Sequence, residues 1–435
     1  MEKNAGKKIR VGIAGLGNVG VGVVKIISTL RGNLQERSGR QIEITAVSAR
    51  DRNKNRGIDL AAYKWHDNPL NLADDENVDV VVELIGGAEG VARELAINSL
   101  KNKKHLVTAN KALIAHHGVE LASLAEQNNL SLSFEAAVAG GIPVIKAIRE
   151  GLAGDKINSV AGILNGTCNY ILTEMEKTRR DYPEVLKEAQ QLGYAEADPA
   201  FDVDGVDTAH KLAILTSLAF GTRVDINSVY VEGIRQISLA DIDFAKSLNY
   251  RIKLLGIAAL SGCRISQTVH PVLVKADSEL AAVDGAFNGI EISADPLGHL
   301  TLVGRGAGEG PTASAVVADI VDIARGNHVF AFGVPAKRLT KPETLHADEL
   351  ENAFYLRLTV IDKPGVVAKL SGIMRDHDIS IESLYQRSRK PGEPVNIVLT
   401  THHTTEGAML TALDKISGFE DVKEKPVLIR IAAEL

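Results

Sequence analysis

Cysteine is nearly absent. The 435 residues include two, Cys168 and Cys263, in unrelated contexts. They build neither a disulfide framework nor a zinc site with paired ligand spacing. Basic charge is not in excess either: 49 Lys and Arg stand against 55 Asp and Glu, a net charge of −6. Phosphates select basic surfaces, so the balance argues against a dominant electrostatic partnership with nucleic acid, although it leaves room for a local basic pocket for a phosphorylated ligand. No run of about 18 apolar residues exists to span a membrane. The polar stretch at 1–10 lacks the apolar core of a signal peptide, and no kinase-like segment is expected before the first motif. A cytoplasmic protein is the expectation. With 45% apolar and 24% charged residues, the chain is not of the disordered class. At about 100–200 residues per domain, its length predicts roughly two to four domains.

The chain opens with a buried strand over 8–14, followed by Gly15-Leu16-Gly17-Asn18-Val19-Gly20 and an amphipathic helix through Val21, Val24, Ile27 and Leu30. Further strands are expected at 42–48, 78–85, 105–108 and 130–135, with a helix over about 89–101. This alternation predicts an α/β, Rossmann-type doubly wound parallel sheet. Beyond Gly140-Gly141-Ile142-Pro143 the texture becomes α+β. A strand is expected near 157–164, helices near 168–179, 183–192 and 204–220, and strands near 250–260, 265–274 and 299–305. A Gly-rich loop leads into a helix over 306–325, and the polar stretch 335–352 reads as a linker. The remainder reads strand 354–361, helix 364–376, strands 379–388 and 394–401, helix 404–416 and strand 427–433. That order is a self-contained βαββαβ sandwich. The expected division is therefore a dinucleotide-binding domain at 1–140, completed by about 306–330, a substrate-binding and dimerisation domain at 141–335, a linker at 336–352 and a C-terminal domain at 353–435.

Gly15, Gly17 and Gly20 sit where a dinucleotide fingerprint must sit, after a strand and at the start of a helix. The first permits the tight turn, the second admits a pyrophosphate, and the third lets helix and strand pack. The bland alternative is a structural βα turn. At the end of the second strand Arg50 precedes any acid. Arginine there suits a 2′-phosphate, which favours NADP; with Asp51 on the ribose instead, NAD is possible.

Thr108-Ala109-Asn110-Lys111 closes the fourth strand, where ligands of open α/β sheets bind. Lys111 there can reach a nicotinamide and a substrate, or it is an exposed helix-start lysine. Asp207 and Lys211 share one face of a largely apolar helix. A buried lysine needs a partner or a shifted pKa, which points to catalysis rather than a surface salt bridge. An EF-hand reading fails, because Ala213 occupies the position where glutamate is required. Cys168 reads as a small pocket residue, with a thioester-forming nucleophile as the alternative. The adjacent pairs His116-His117 and His402-His403 do not share a helix face and suggest no metal. The segment Glu135 to Pro143 reads as a glycine hinge whose carbonyls could turn toward a cation.

Taken together, these stretches resemble homoserine dehydrogenases. The resemblance rests on the fingerprint, Thr108–Lys111, Glu135–Pro143, Asn165-Gly-Thr-Cys-Asn169, Gly193-Tyr-Ala-Glu-Ala-Asp-Pro199, Asp202–Lys211 and Gly304-Arg-Gly-Ala-Gly308. Leu358-Thr-Val-Ile-Asp362-Lys-Pro-Gly365 and the βαββαβ order resemble an ACT domain. The resemblance implies reversible NAD(P)H-dependent reduction of L-aspartate 4-semialdehyde to L-homoserine, toward threonine and methionine. It implies Lys211 as proton donor, Asp207 beside it, and Lys111 between nicotinamide and substrate. It places Glu196 on the substrate's α-ammonium group, with Tyr194, Thr167, Gly166 and Asp202 lining the pocket. Gly15, Leu16, Gly17, Asn18, Val19, Gly20, Arg50, Thr108 and Gly308 would hold the cofactor. Glu135, Val138, Gly140 and Ile142 would hold sodium or a similar monovalent cation. Cys168 departs from the family, where threonine is more usual. An amino-acid effector such as threonine and a homodimer or homotetramer are further implied.

Overall fold

The computed structural model describes residues 8–386 and 391–432. Residues 1–7, the end of the strand expected over 379–388 and residue 433 lie outside the described residues. The chain forms two compact units. One comprises Met1–Val160, His210–Asn227 and Ile292–Pro342, the other Ala161–Ala209, Ser228–Glu291 and Glu343–Leu435.

The first unit is built on six parallel strands: β1 (Ile9–Ala14), β2 (Ile42–Ser48), β3 (Lys64–His66), β4 (Val80–Glu83), β5 (His105–Thr108) and β6 (Leu132–Ser133). Their order is β3-β2-β1-β4-β5-β6. The order reverses between β1 and β4, which puts the ligand crevice at the carboxyl ends of those strands. Such a sheet is covered on both faces, so its strands are continuous apolar runs. Val11, Ile13, Val80, Val82 and Val107 are fully buried with Val23 and Ile27 of the helix Asn18–Thr29 and Ala313, Val316 and Ile320 of the helix Glu309–Arg325. Gly22 makes that helix pair possible, since a Cβ there would stand 2.9 Å from the Ala313 Cβ.

In this sheet one strand carries no sequence signal and one expectation needs correction. β3 went unread because it is a three-residue edge strand with no alternation to detect. The strand expected over 130–135 contracts to Leu132–Ser133, because Glu135–Ala137 turns into a 3₁₀ helix. The Glu135 N–H leaves the ladder and donates to the Asp319 carboxylate at 2.9 Å.

In the second unit, Tyr250–Ser261 and Arg264–Lys275 form a long antiparallel hairpin. The C-terminal segment has the expected βαββαβ order. Strand Glu351–Ile361 lies between Pro394–Thr401 and Val427–Ile431, and Ile381–Gln386 flanks Pro394–Thr401, all antiparallel. Leu370 and Met374 of one helix and Met409, Ala412 and Ile416 of the other cover this sheet. The sandwich is not self-contained, however. Val427–Ile431 also pairs in parallel with the hairpin, Val272 opposite Arg430 and Leu273 opposite Ile431. An otherwise open strand edge is thereby closed. Within the stretch read as a linker, Glu343–Thr344 pairs in parallel with Arg264–Ile265. The helix Leu239–Ser247, absent from the sequence reading, starts with a capping box in which Ser238 and Asp241 satisfy each other's backbone N–H groups.

Candidate active site

The fingerprint turn is held by backbone. The Gly15 N–H donates to the Ser48 carbonyl at 2.9 Å. Gly15 has φ +102°, and a Cβ there would stand 2.5 Å from the Leu84 carbonyl oxygen. A Cβ on Gly20 would stand 2.1 Å from the Gly15 carbonyl oxygen, whereas one on Gly17 would meet nothing within 4 Å. Two of the glycines are therefore required by the chain itself, and the third leaves space. The helix that follows has no side-chain cap and no acid in its first turn, so its N–H groups suit a phosphate. These features fit a dinucleotide cofactor.

Arg50, Asp51 and Arg52 are exposed at the end of β2, with the Arg52 guanidinium 5.9 Å from the Trp65 ring centroid. Arg56 is a participant the sequence reading did not single out. Its Nε donates to the Leu16 carbonyl at 3.1 Å and its Nη2 to the Asp51 carbonyl at 2.6 Å, tying the fingerprint to the β2 loop. Gly308 caps the helix Glu309–Arg325 with φ +117°.

A second unread residue, Glu83, ends β4 fully buried. One oxygen accepts from the Ile85 and Gly86 N–H groups at 2.7 and 3.1 Å, and the other accepts from the Thr108 hydroxyl at 2.6 Å. Asn110 caps the next helix through the Leu113 N–H and donates to the Gly87 carbonyl. Together they lock the β4 and β5 ends around Lys111, the half-buried first residue of the helix Lys111–Gln127.

In the second unit one amide gathers the predicted carboxylates. Asn165 is the N-cap of the helix Gly166–Thr178, accepting from the Cys168 N–H at 2.8 Å. Its Nδ2 donates to Asp202 and to Asp207, each at 2.8 Å. Asp207 is 3% exposed and opens the helix Val206–Phe220, which runs on into the first unit from His210; Lys211, one turn along it, is half-buried. The Thr167 hydroxyl donates to the Tyr194 carbonyl at 2.6 Å, and the Tyr194 ring lies 4.6 Å from that of Tyr170. Glu196 is exposed, its carbonyl held by the Gln190 amide at 3.0 Å. The structure thus brings Gly166, Thr167, Tyr194, Asp202 and Asp207 around one helix start.

Cys168 is buried and its thiol donates to the Asp202 carbonyl at 3.3 Å. The thiol is thereby packed against the backbone at residue 202. Cys168→Ala is expected to keep turnover within about threefold, whereas a thioester-forming enzyme would lose it entirely. Steady-state rates with the aldehyde substrate separate the two.

Around the hinge, both Glu135 carboxylate oxygens are taken, by the Ile145 and Lys146 N–H groups at 2.9 Å each. Burial and the Asp319 charge nonetheless push that carboxyl up to about 7. The Glu135 side chain is thus committed to the backbone. Gly140, with φ +43°, approaches Gly306 so closely that a Cβ would stand 2.5 Å from its carbonyl. The buried Val138 and Gly140 carbonyls accept none of the described loop hydrogen bonds, while that of Ile142 accepts from Val144. The unengaged carbonyls of Val138 and Gly140, both buried residues, fit a monovalent cation held by backbone oxygen, whereas that of Ile142 is already an acceptor. Among the described residues no group of three or more His, Cys, Asp or Glu could hold a metal, and no helix is long and apolar enough to cross a membrane.

Three family models match the chain. Residues 143–321 match homoserine dehydrogenase, residues 15–135 the homoserine dehydrogenase NAD binding domain, and residues 354–418 the ACT domain. The homoserine dehydrogenase of Neisseria gonorrhoeae is 42% identical over 431 residues, 98% of this chain and 99% of the relative. Among solved structures, a homoserine dehydrogenase from Thiobacillus denitrificans is similar with a TM-score of 0.93 at 42% identity, covering 99% of each chain. A hyperthermophilic archaeal homoserine dehydrogenase in complex with NADPH is similar at 25% identity and a TM-score of 0.63, covering 75% of this chain and 100% of its own.

Proposed function

Since the chain belongs to the homoserine dehydrogenase family and is an NAD(P)-dependent oxidoreductase, we propose that it reduces L-aspartate 4-semialdehyde to L-homoserine with Lys211 as the proton donor. The observation that carries this is the Asn165 amide between Asp202 and Asp207, one helical turn before Lys211. It fixes the start of the helix from which Lys211 projects.

The cofactor, when bound, supplies the hydride. As negative charge builds on the aldehyde oxygen, the Lys211 ammonium stabilises it and then gives up a proton. Asp207, buried and held by Asn165, orients the groups at that oxygen. Glu196 takes the α-ammonium group, which separates an amino-acid aldehyde from a plain one. Tyr194, Thr167, Gly166 and Asp202 line the pocket, and Lys111 reaches nicotinamide and substrate. The fingerprint, Thr108 and Gly308 hold the cofactor. Glu135, Val138, Gly140 and Ile142 would hold a sodium-type cation through backbone oxygens.

The four-part division into 1–140 with 306–330, 141–335, 336–352 and 353–435 follows the same reading. So do a cytoplasmic location, a homodimer or homotetramer, and feedback by threonine through the ACT domain. The test is NADPH absorbance loss with the semialdehyde, repeated with NADH and with threonine. Rapid loss with NADPH, slower loss with NADH and suppression by threonine are expected. Arg50→Ala should raise the KM for NADPH about tenfold and leave that for NADH within about twofold, since a 2′-phosphate contact is charge-assisted. No consumption by the parent enzyme, with NADPH bound, would overturn the substrate assignment.

A further inference from the structure

The C-terminal segment meets the rest of its unit through buried charge. Arg430, on the strand Val427–Ile431, is 1% exposed. Its guanidinium donates to both carboxylate oxygens of Glu232 and to both of Glu406. It also lies 5.6 Å from the Tyr230 ring centroid, and the Tyr230 hydroxyl donates to Glu232. Glu406 opens a helix of the same C-terminal segment. Glu232 does not belong to that segment.

From Glu232 the path to the candidate site is short. The Glu232 N–H donates to the Val269 carbonyl at 2.7 Å. The next residue, Gly233, lies so close to the chain at 203–204 that a Cβ would stand 2.2 Å from the Val203 carbonyl oxygen and 2.6 Å from the Asp204 Cα. The Ile234 N–H donates to the Val203 carbonyl at 2.9 Å, and Arg235 pairs with Asp204. Gly205, with φ +86°, is covered by Val231 and Val269, each 3.0 Å from where its Cβ would be. Residues 203–205, the end of the helix Ala200–Val203 and the turn after it, join Asp202 to Asp207, the two carboxylates gathered by Asn165. The far end of the same segment is held as well. Asp241, fully buried, accepts from Arg357 at 2.7 and 3.1 Å and from the Tyr355 hydroxyl at 3.1 Å. Residues 232–241 are therefore gripped at both ends by arginines of the C-terminal segment.

We propose that Arg430 is a positioning residue for catalysis: by holding Glu232 it sets the 203–205 turn, and through it Asp202 and Asp207. The ACT-type segment is then part of the catalytic scaffold. This rests on the assignment of Asp202 and Asp207 to the substrate site. The competing account is structural, in which one buried cation between two carboxylates contributes only to stability.

The full-length enzyme separates the accounts. Glu232→Gln and Glu406→Gln each remove one negative charge from the same guanidinium. Glu232→Gln is expected to lower kcat/KM for the aldehyde about tenfold, through misplacement, with the KM for NADPH within about twofold of the parent. Glu406→Gln is expected to keep kcat/KM within about twofold, whatever its melting temperature. Tyr230→Phe, a gentler change that keeps the buried pair, should shift kcat/KM in the same direction as Glu232→Gln by about threefold. Equal losses in the two glutamine variants, or parental rates in Glu232→Gln and Tyr230→Phe, would overturn the proposal. Asp207→Asn tests the site assignment separately. If it retains full turnover, that assignment falls and the proposal with it. If it loses turnover while Glu232→Gln does not, the proposal alone falls.

Discussion

Lys211→Met is expected to lower kcat about 10³-fold while NADPH affinity stays within about twofold. Methionine matches the aliphatic stem of lysine and removes the ammonium group, so both the charge stabilisation and the proton donation proposed for Lys211 are lost. A factor of 10³ corresponds to about 4 kcal/mol of transition-state stabilisation. The fold should survive, because Asp207 keeps the Asn165 hydrogen bond when Lys211 is gone. The checks are steady-state kinetics with the semialdehyde and a fluorescence titration with NADPH. Undiminished turnover with intact NADPH binding would remove Lys211 from its role.

Gly20→Ala should act on the other half of the reaction, raising the NADPH dissociation constant at least about 100-fold and costing about 1–3 kcal/mol of stability. Its new Cβ would stand 2.1 Å from the Gly15 carbonyl oxygen, a backbone atom. Gly15 has little room to retreat, since its N–H is bonded to Ser48 and its own Cβ direction is filled by Leu84. Gly17→Ala is the informative companion, because a Cβ there meets nothing within 4 Å. It should leave the melting temperature near the parent's and still weaken NADPH binding, since the open space is where a pyrophosphate would approach. Calorimetry with and without NADPH measures both effects. Unchanged NADPH affinity in Gly20→Ala would show that the fingerprint turn is structural only.

The parallel sheet was legible because buried strands such as Val80-Val-Val are apolar runs ended by turn residues. Lys64–His66 and the contraction of β6 were not, because both depend on what the rest of the chain puts beside them. Among the proposed site residues, Asp202, Asp207 and Lys211 stand out in the sequence as charge crowded at the start of an apolar helix. The amide that joins the two carboxylates was not, since Asn165 lies 37 and 42 residues away from them. Glu83 did carry a signal, a carboxylate closing an apolar strand, which its three hydrogen bonds explain. Arg56 carried none, because nothing in an exposed run of charge shows which arginine folds back onto Leu16.

The link between Arg430 and Glu232 also has a clock in it. The two residues are 198 positions apart. At about 5–20 residues per second of synthesis, Glu232 leaves the ribosome roughly 10–40 s before its partner exists. During that interval the nascent chain holds the Glu232 carboxylate without its arginine and leaves the hairpin edge uncovered at Val272–Leu273, beside the positions that Tyr230–Val231 already closes. Stalling within that window would release chains with an unfinished enzyme and an adhesive edge, a population for chaperones to shelter until the last strand arrives.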